Sequence, residues 1–67
     1  MYEMKKVSEE IWNVFVDGKS IGLVYQFLLL GSWRYRAYFE GKALNNIYET
    51  SFQAAEALEK AWRDSQE

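Results

Sequence analysis

Apolar and polar positions alternate most cleanly over residues 33–39, where Trp33, Tyr35, Ala37 and Phe39 point one way and Arg34, Arg36 and Tyr38 the other. That period of two predicts a strand. After residue 50 the period changes. Ala54, Ala55, Leu58, Ala61 and Trp62 fall on one stripe at 100° per residue, with Gln53, Glu56, Lys60 and Arg63 outside it, which predicts an amphipathic helix over 51–63. Thr50 and Gln53 have the spacing of a capping box at its start. Upstream, residues 11–16 (IWNVFV) hold three β-branched and two aromatic residues and read as a strand. Asp17-Gly18 is a hairpin signal, because glycine accepts the positive φ the turn needs. Residues 21–29 follow as a second strand. Turns are expected at 30–32 and at 40–42. Residues 43–48 form a weaker last strand, since Asn45 and Asn46 pair poorly in sheets. Met1 to Ser8 shows no period and reads as a loose lead-in.

These elements give an α+β fold in a single domain: a four-stranded antiparallel sheet, or a three-stranded one without the weak last segment, followed by one C-terminal helix. One short helix covers one face of such a sheet and leaves the other open. The second strand carries a conflict of parity. A tight first hairpin puts Leu23 and Tyr25 on the core face with Val14 and Val16. A two-residue turn at 31–32 puts Leu23, Tyr25 and Phe27 on the arginine face instead. A bulge or a three-residue loop near 27–30 is the favoured resolution, because one inserted residue flips every later side chain. Burial of both faces of the strand is the alternative.

Composition narrows the functional classes. Sixty-seven residues bury a modest fraction of their surface, so the aromatic content (three Trp, five Tyr, four Phe) must supply core density. No Cys or His is present, which removes thiol chemistry and the usual ligands for zinc, copper and haem, so no cofactor or metal is expected. General acid–base work also loses its commonest residue. Glu9-Glu10 and Glu56-Glu59 read as solvated charges, and the four glycines as turn or bulge positions without a phosphate-binding spacing. A non-enzymatic protein is expected. With no long apolar run, neither a membrane partner nor a signal segment is expected, and the cytoplasm is the default location.

The informative surface is the open face. With the helix on the Trp33 side, the outward set is Asn13, Phe15, Val24, Gln26, Arg34, Arg36, Tyr38, Asn45 and Ile47. Arginine mixed with aromatics is enriched at protein interfaces and among their hot spots. The first reading is therefore a small interaction protein that binds a protein partner, or a second copy of itself, in the manner of an accessory subunit or a phage- or plasmid-type inhibitor. Nucleic acid is the second reading. It is disfavoured by the net charge of −2 and the pI of about 5.1. Even so, the segment 31–48 carries Arg34, Arg36 and Lys42 against Glu40 alone.

That second reading draws on a resemblance. The segment GSWRYRAYFEGK, followed by YETSFQAAEAL, resembles the arm-type DNA-binding domains of tyrosine integrases, which are similar in turn to plant AP2 domains. Gly31, Trp33, Tyr35, Arg36, Tyr38, Gly41 and Lys42 match the strand-and-turn pattern, and Tyr48, Thr50 and Ala54 to Leu58 match the helix start approximately. About half the chain is covered. The resemblance implies a three-stranded sheet that enters the major groove, with Arg34, Arg36 and Lys42 as the DNA-contacting residues.

Overall fold

The computed structural model describes residues 1–66. Five antiparallel strands follow one another as a meander in the order β1-β2-β3-β4-β5: Tyr2–Ser8, Ile11–Val16, Lys19–Leu29, Ser32–Phe39 and Lys42–Ala43. One helix, α1 at Ser51–Ser65, closes the α+β domain. Three of the four connections are the same device. Asp17-Gly18, Leu30-Gly31 and Glu40-Gly41 each hold two residues at positive φ between directly paired neighbours (Val16 with Lys19, Leu29 with Ser32, Phe39 with Lys42). Such turns match the twist of the strands they join, and glycine at the second position adopts the left-handed conformation without a steric penalty.

The lead-in is a strand, which corrects the expectation for residues 1–8. Tyr2 pairs with Val16, Met4 with Val14 and Lys6 with Trp12. A run of charged residues hid the alternation, although Tyr2 and Met4 turn inward and Glu3 and Lys5 outward. The last strand is the opposite correction. Only Lys42 and Ala43 pair with β4, and the chain then leaves the sheet until a single bridge joins Tyr48 to Tyr35. Asn45 and Asn46 fall in the excursion, as their poor strand propensity allows.

The parity conflict is resolved by a bulge at a place other than the expected one. The first turn is tight, yet Phe15 pairs with Ser20 while Val14 pairs with Gly22, so Ile21 is the inserted residue. From Gly22 onward the facing is inverted relative to an unbulged hairpin. Ile21 and Val24 join the core, and Leu23, Tyr25 and Phe27 turn to the arginine face. The core consists of Val14, Val16, Ile21, Val24 and Ala37 from the sheet and Ala54, Ala55 and Leu58 from the helix. Tyr2, Met4, Trp12, Tyr35, Phe39, Leu44, Tyr48 and Trp62 pack around it. The helix lies over β4, β3 and β1, and its apolar stripe is the one the sequence predicts. Its approach is close because alanines line it and because Gly22 lacks a side chain: a Cβ there would lie 2.9 Å from Leu58 Cδ1 and collide with the Tyr38 carbonyl.

The start of the helix is capped in a variant of the expected way. The Thr50 hydroxyl accepts from the Gln53 amide at 3.1 Å. The Gln53 side chain reaches past the cap to accept from the Glu49 amide at 3.0 Å. Two otherwise free amide donors are thereby satisfied.

Candidate functional site

The face opposite the helix is built by the register. Three rows cross it. Lys5, Asn13, Leu23 and Tyr38 are successive partners in one; Ile11, Tyr25 and Arg36 form the next; Phe27 and Arg34 the third. Glu3 and Phe15 pair beside the first row. Aromatic and aliphatic residues thus occupy the centre, and cations stand around them. Tyr25 and Tyr38 meet edge to face at 4.7 Å between centroids. The Lys5 ammonium stands 5.3 Å from the Phe15 centroid, and the Arg36 guanidinium 6.0 Å from that of Phe27. Each contact adds a modest electrostatic attraction to the area it covers. Asn13 accepts from the Ser20 hydroxyl at 2.7 Å, which fixes its amide at the bulge.

The face is half-covered by its own side chains. Phe15, Leu23, Tyr25, Phe27, Arg34, Arg36 and Tyr38 are all intermediate in exposure, and no second layer among the described residues lies on them. Arginine and lysine stems shield the rings while their charged ends stay in water. Among the described residues, Lys5, Arg34 and Arg36 oppose only the carboxylate of Glu3 there, so a chain that is acidic overall has a positive open face. The acidic residues collect elsewhere. Glu9, Glu10, Asp17 and Glu40 sit in the turns, and Glu56, Glu59 and Asp64 on the helix.

The structure gathers Asn13, Phe15, Arg34, Arg36 and Tyr38 on this face, as the sequence suggests. Val24 and Gln26 are corrections. Val24 has no exposed surface and belongs to the core opposite Ala37, while Gln26 pairs with Tyr35 on the helix side. An unbulged hairpin would face both outward, and the inserted Ile21 turns them inward. Asn45 and Ile47 are exposed but lie in the excursion after β5, off the sheet. Lys42 pairs with Phe39 at the far hairpin and has the helix-side facing, so it does not join Arg34 and Arg36. Trp33 shares the facing of Tyr35 but lies beyond the helix and is exposed. Leu23, Tyr25, Phe27 and Lys5 are the members that sequence reasoning missed. The two-residue turn before Ser32 was the signal for the first three, since it forces them beside the arginines.

The other polar cluster lies at the chain start. Glu59 accepts from Arg63 at 2.8 Å and from the Met1 amino group at 3.0 Å. These partners hold its carboxyl below the usual carboxylate range, Arg63 most strongly. Burial, with Glu56 and Glu59 nearby, pushes the Tyr2 phenol above its ordinary value. The cluster ties β1 to the helix. Comparison with protein-family models, with curated proteins and with solved structures finds no match.

Proposed function

We propose that this domain is an interaction module that binds a protein partner, or a second copy of itself, through the open sheet face, without catalysing a reaction. The observation that carries the reading is the Tyr25–Tyr38 pair, with Phe15 and Phe27 on the same face each beneath a cation, a surface that no second layer covers among the described residues. Tyrosine and arginine at the centre of a partly desolvated patch form the composition in which a few residues dominate binding energy. The residues to carry it are Phe15, Leu23, Tyr25, Phe27, Arg34, Arg36 and Tyr38, with Asn13 and Lys5 at the rim. A photoreactive aromatic amino acid in place of Tyr25 tests this directly in cells. It should crosslink to one discrete protein, or to its own copy, and the adduct should vanish with Phe15→Glu. The same amino acid in place of exposed Phe52, at the start of the helix, should give no such adduct. Equal labelling from both positions would contradict the reading.

A second reading follows from the charge of the same face. Lys5, Arg34 and Arg36 beside stacked rings suit phosphate contact with aromatic packing, in line with the resemblance to integrase arm domains. It is ranked second because three cations make few phosphate contacts and Lys42 faces elsewhere. Fluorescence anisotropy with a random-sequence duplex distinguishes the two. Salt-sensitive binding that Arg34 and Arg36 control favours DNA, and no binding at low salt removes it.

A further inference from the structure

The β3–β4 hairpin outruns the sheet that supports it. Strand β2 pairs with β3 only as far as Tyr25, and the last cross-strand bond on that side is Gln26 N–H to the Glu10 carbonyl at 2.8 Å. On the other side the support ends at Tyr35, bridged to Tyr48. Phe27 to Arg34, the sequence FLLLGSWR, therefore projects as a two-stranded ribbon. Its surface is apolar on one face and at the apex, and mixed on the other face. Leu28 pairs with Trp33 on the first, Phe27 with Arg34 and Leu29 with Ser32 on the second, and Leu30 is 99% exposed at the apex.

The apex residue is the telling one. The three equivalent turns carry Asp17, Leu30 and Glu40 at their first position, all at φ near 50°. Asp suits that left-handed conformation and water alike. Leu30 suits neither, since its branched side chain is disfavoured there and touches no core. The ribbon also has a charge order. Between Ile21 and Phe39 there is no acidic residue, and Arg34 and Arg36 follow the apolar tip in sequence on the open face.

We propose that this tip docks on an anionic lipid surface. Leu28, Leu29 and Leu30 enter the acyl boundary, Trp33 sits at headgroup level, and Arg34 and Arg36 meet lipid phosphates. A flat protein surface would cover one side of such a ribbon, whereas a fluid interface takes up Leu28, Leu29, Leu30 and Trp33 together and leaves Ser32 and Arg34 among the headgroups. The sequence from aliphatic to tryptophan to arginine follows the polarity gradient of a membrane interface. Surface docking of this kind needs no spanning segment, and no helix among the described residues is long and apolar enough to cross a membrane. It goes beyond the partner reading, because the residues that enter the lipid, Leu28, Leu29, Leu30 and Trp33, are not among those the partner reading uses.

The test is co-sedimentation of the purified protein with vesicles of phosphatidylcholine and phosphatidylglycerol in equal parts. Wild type should sediment, and its tryptophan emission should shift to the blue. Leu30→Asp introduces a residue that the turn favours, so circular dichroism and thermal stability should hold while partitioning falls about tenfold or more. Arg34→Gln with Arg36→Gln should weaken partitioning about thirtyfold on these vesicles. Absence of wild-type binding would overturn the proposal, and so would Leu30→Asp binding like wild type. A concentration-dependent dimer that Leu30→Asp abolishes, with no vesicle binding, would overturn it in favour of self-contact through the tip.

Discussion

The Leu58 methyl groups occupy the space into which a side chain at Gly22 would project. A Cβ on Gly22 would stand 2.9 Å from one and 3.0 Å from the other, and closer still to the Tyr38 carbonyl oxygen on the neighbouring strand. Gly22 directly follows the bulged residue, so the step that turns Leu23, Tyr25 and Phe27 outward also lets the helix settle onto the strand. Gly22→Ala should therefore destabilise the domain by about 3 kcal/mol or more, at the top of the overpacking range or above it, because the carbonyl is backbone and cannot turn aside. Leu58→Ala alone should cost about 3–5 kcal/mol. In the double variant the two losses should sum to less than additivity by more than about 0.5 kcal/mol, read from urea unfolding. Strict additivity would mean that the Tyr38 carbonyl alone, and not Leu58, sets the cost at Gly22.

Leu30 predicts an effect of opposite sign. Its left-handed backbone costs about 1 kcal/mol relative to glycine or asparagine, and its side chain is unpacked. Leu30→Asn should raise stability by roughly 0.5–1 kcal/mol. A decrease would show that Leu30 is held by contacts within the domain.

Trp62 lies on the apolar stripe but only packs against the margin of the core. Trp62→Ala should cost about 2–3 kcal/mol, below the range for a fully buried tryptophan and below Leu58→Ala. A loss under about 1 kcal/mol would mean that the helix presents a different stripe to the sheet.

The junction between β1 and the helix sets two limits of pH. Glu59 has a lowered pKa in the folded state, so its contribution is fully present above the ordinary carboxylate range and is lost as pH falls through the folded value. Tyr2 has a raised pKa, so its contribution is present below the ordinary tyrosine range and is lost as pH rises through the folded value. Thermal melts across pH should show Glu59→Gln removing part of the acid-side slope. Tyr2→Phe should remove part of the alkaline one. An unchanged acid-side slope would contradict the ion-pair account of Glu59, and an unchanged alkaline slope the burial of the Tyr2 phenol.

The DNA reading makes a quantitative demand. If the open face contacts phosphates, Arg34→Ala with Arg36→Ala should flatten the dependence of log affinity on log salt by about 2 units. An unchanged slope would remove these arginines from any nucleic-acid contact. Under the partner reading, Phe15→Glu should abolish the specific association with circular dichroism preserved.

Much of this fold was legible in the chain. The helix stripe, the capping threonine, two X-Gly turns and the alternation of Trp33 to Phe39 each rest on local rules that tertiary contacts do not override. β1 was not legible, because Lys5, Lys6 and Glu3 dilute its alternation and pairing with β2 supplies what propensity lacks. The fate of residues 43–48 was set by the Tyr35–Tyr48 bridge, which no local pattern encodes. The site was legible by halves. Arg34, Arg36 and Tyr38 follow from alternation within one strand, but Val24 and Tyr25 exchange faces on the single inserted residue Ile21. The inserted residue stands next to Gly22, which lies against Leu58 of the helix, a neighbour distant in sequence that no local pattern encodes.

The facing of β3 is also the claim on which the binding surface stands, and the absence of cysteine makes it directly measurable. Single cysteines in place of Val24 and Tyr25 should react very differently with a thiol reagent under native conditions. The account predicts that Tyr25→Cys labels rapidly and that Val24→Cys labels only as fast as the domain opens. Rapid labelling at Val24 with protection at Tyr25 would put the bulge elsewhere and turn the proposed binding face inward.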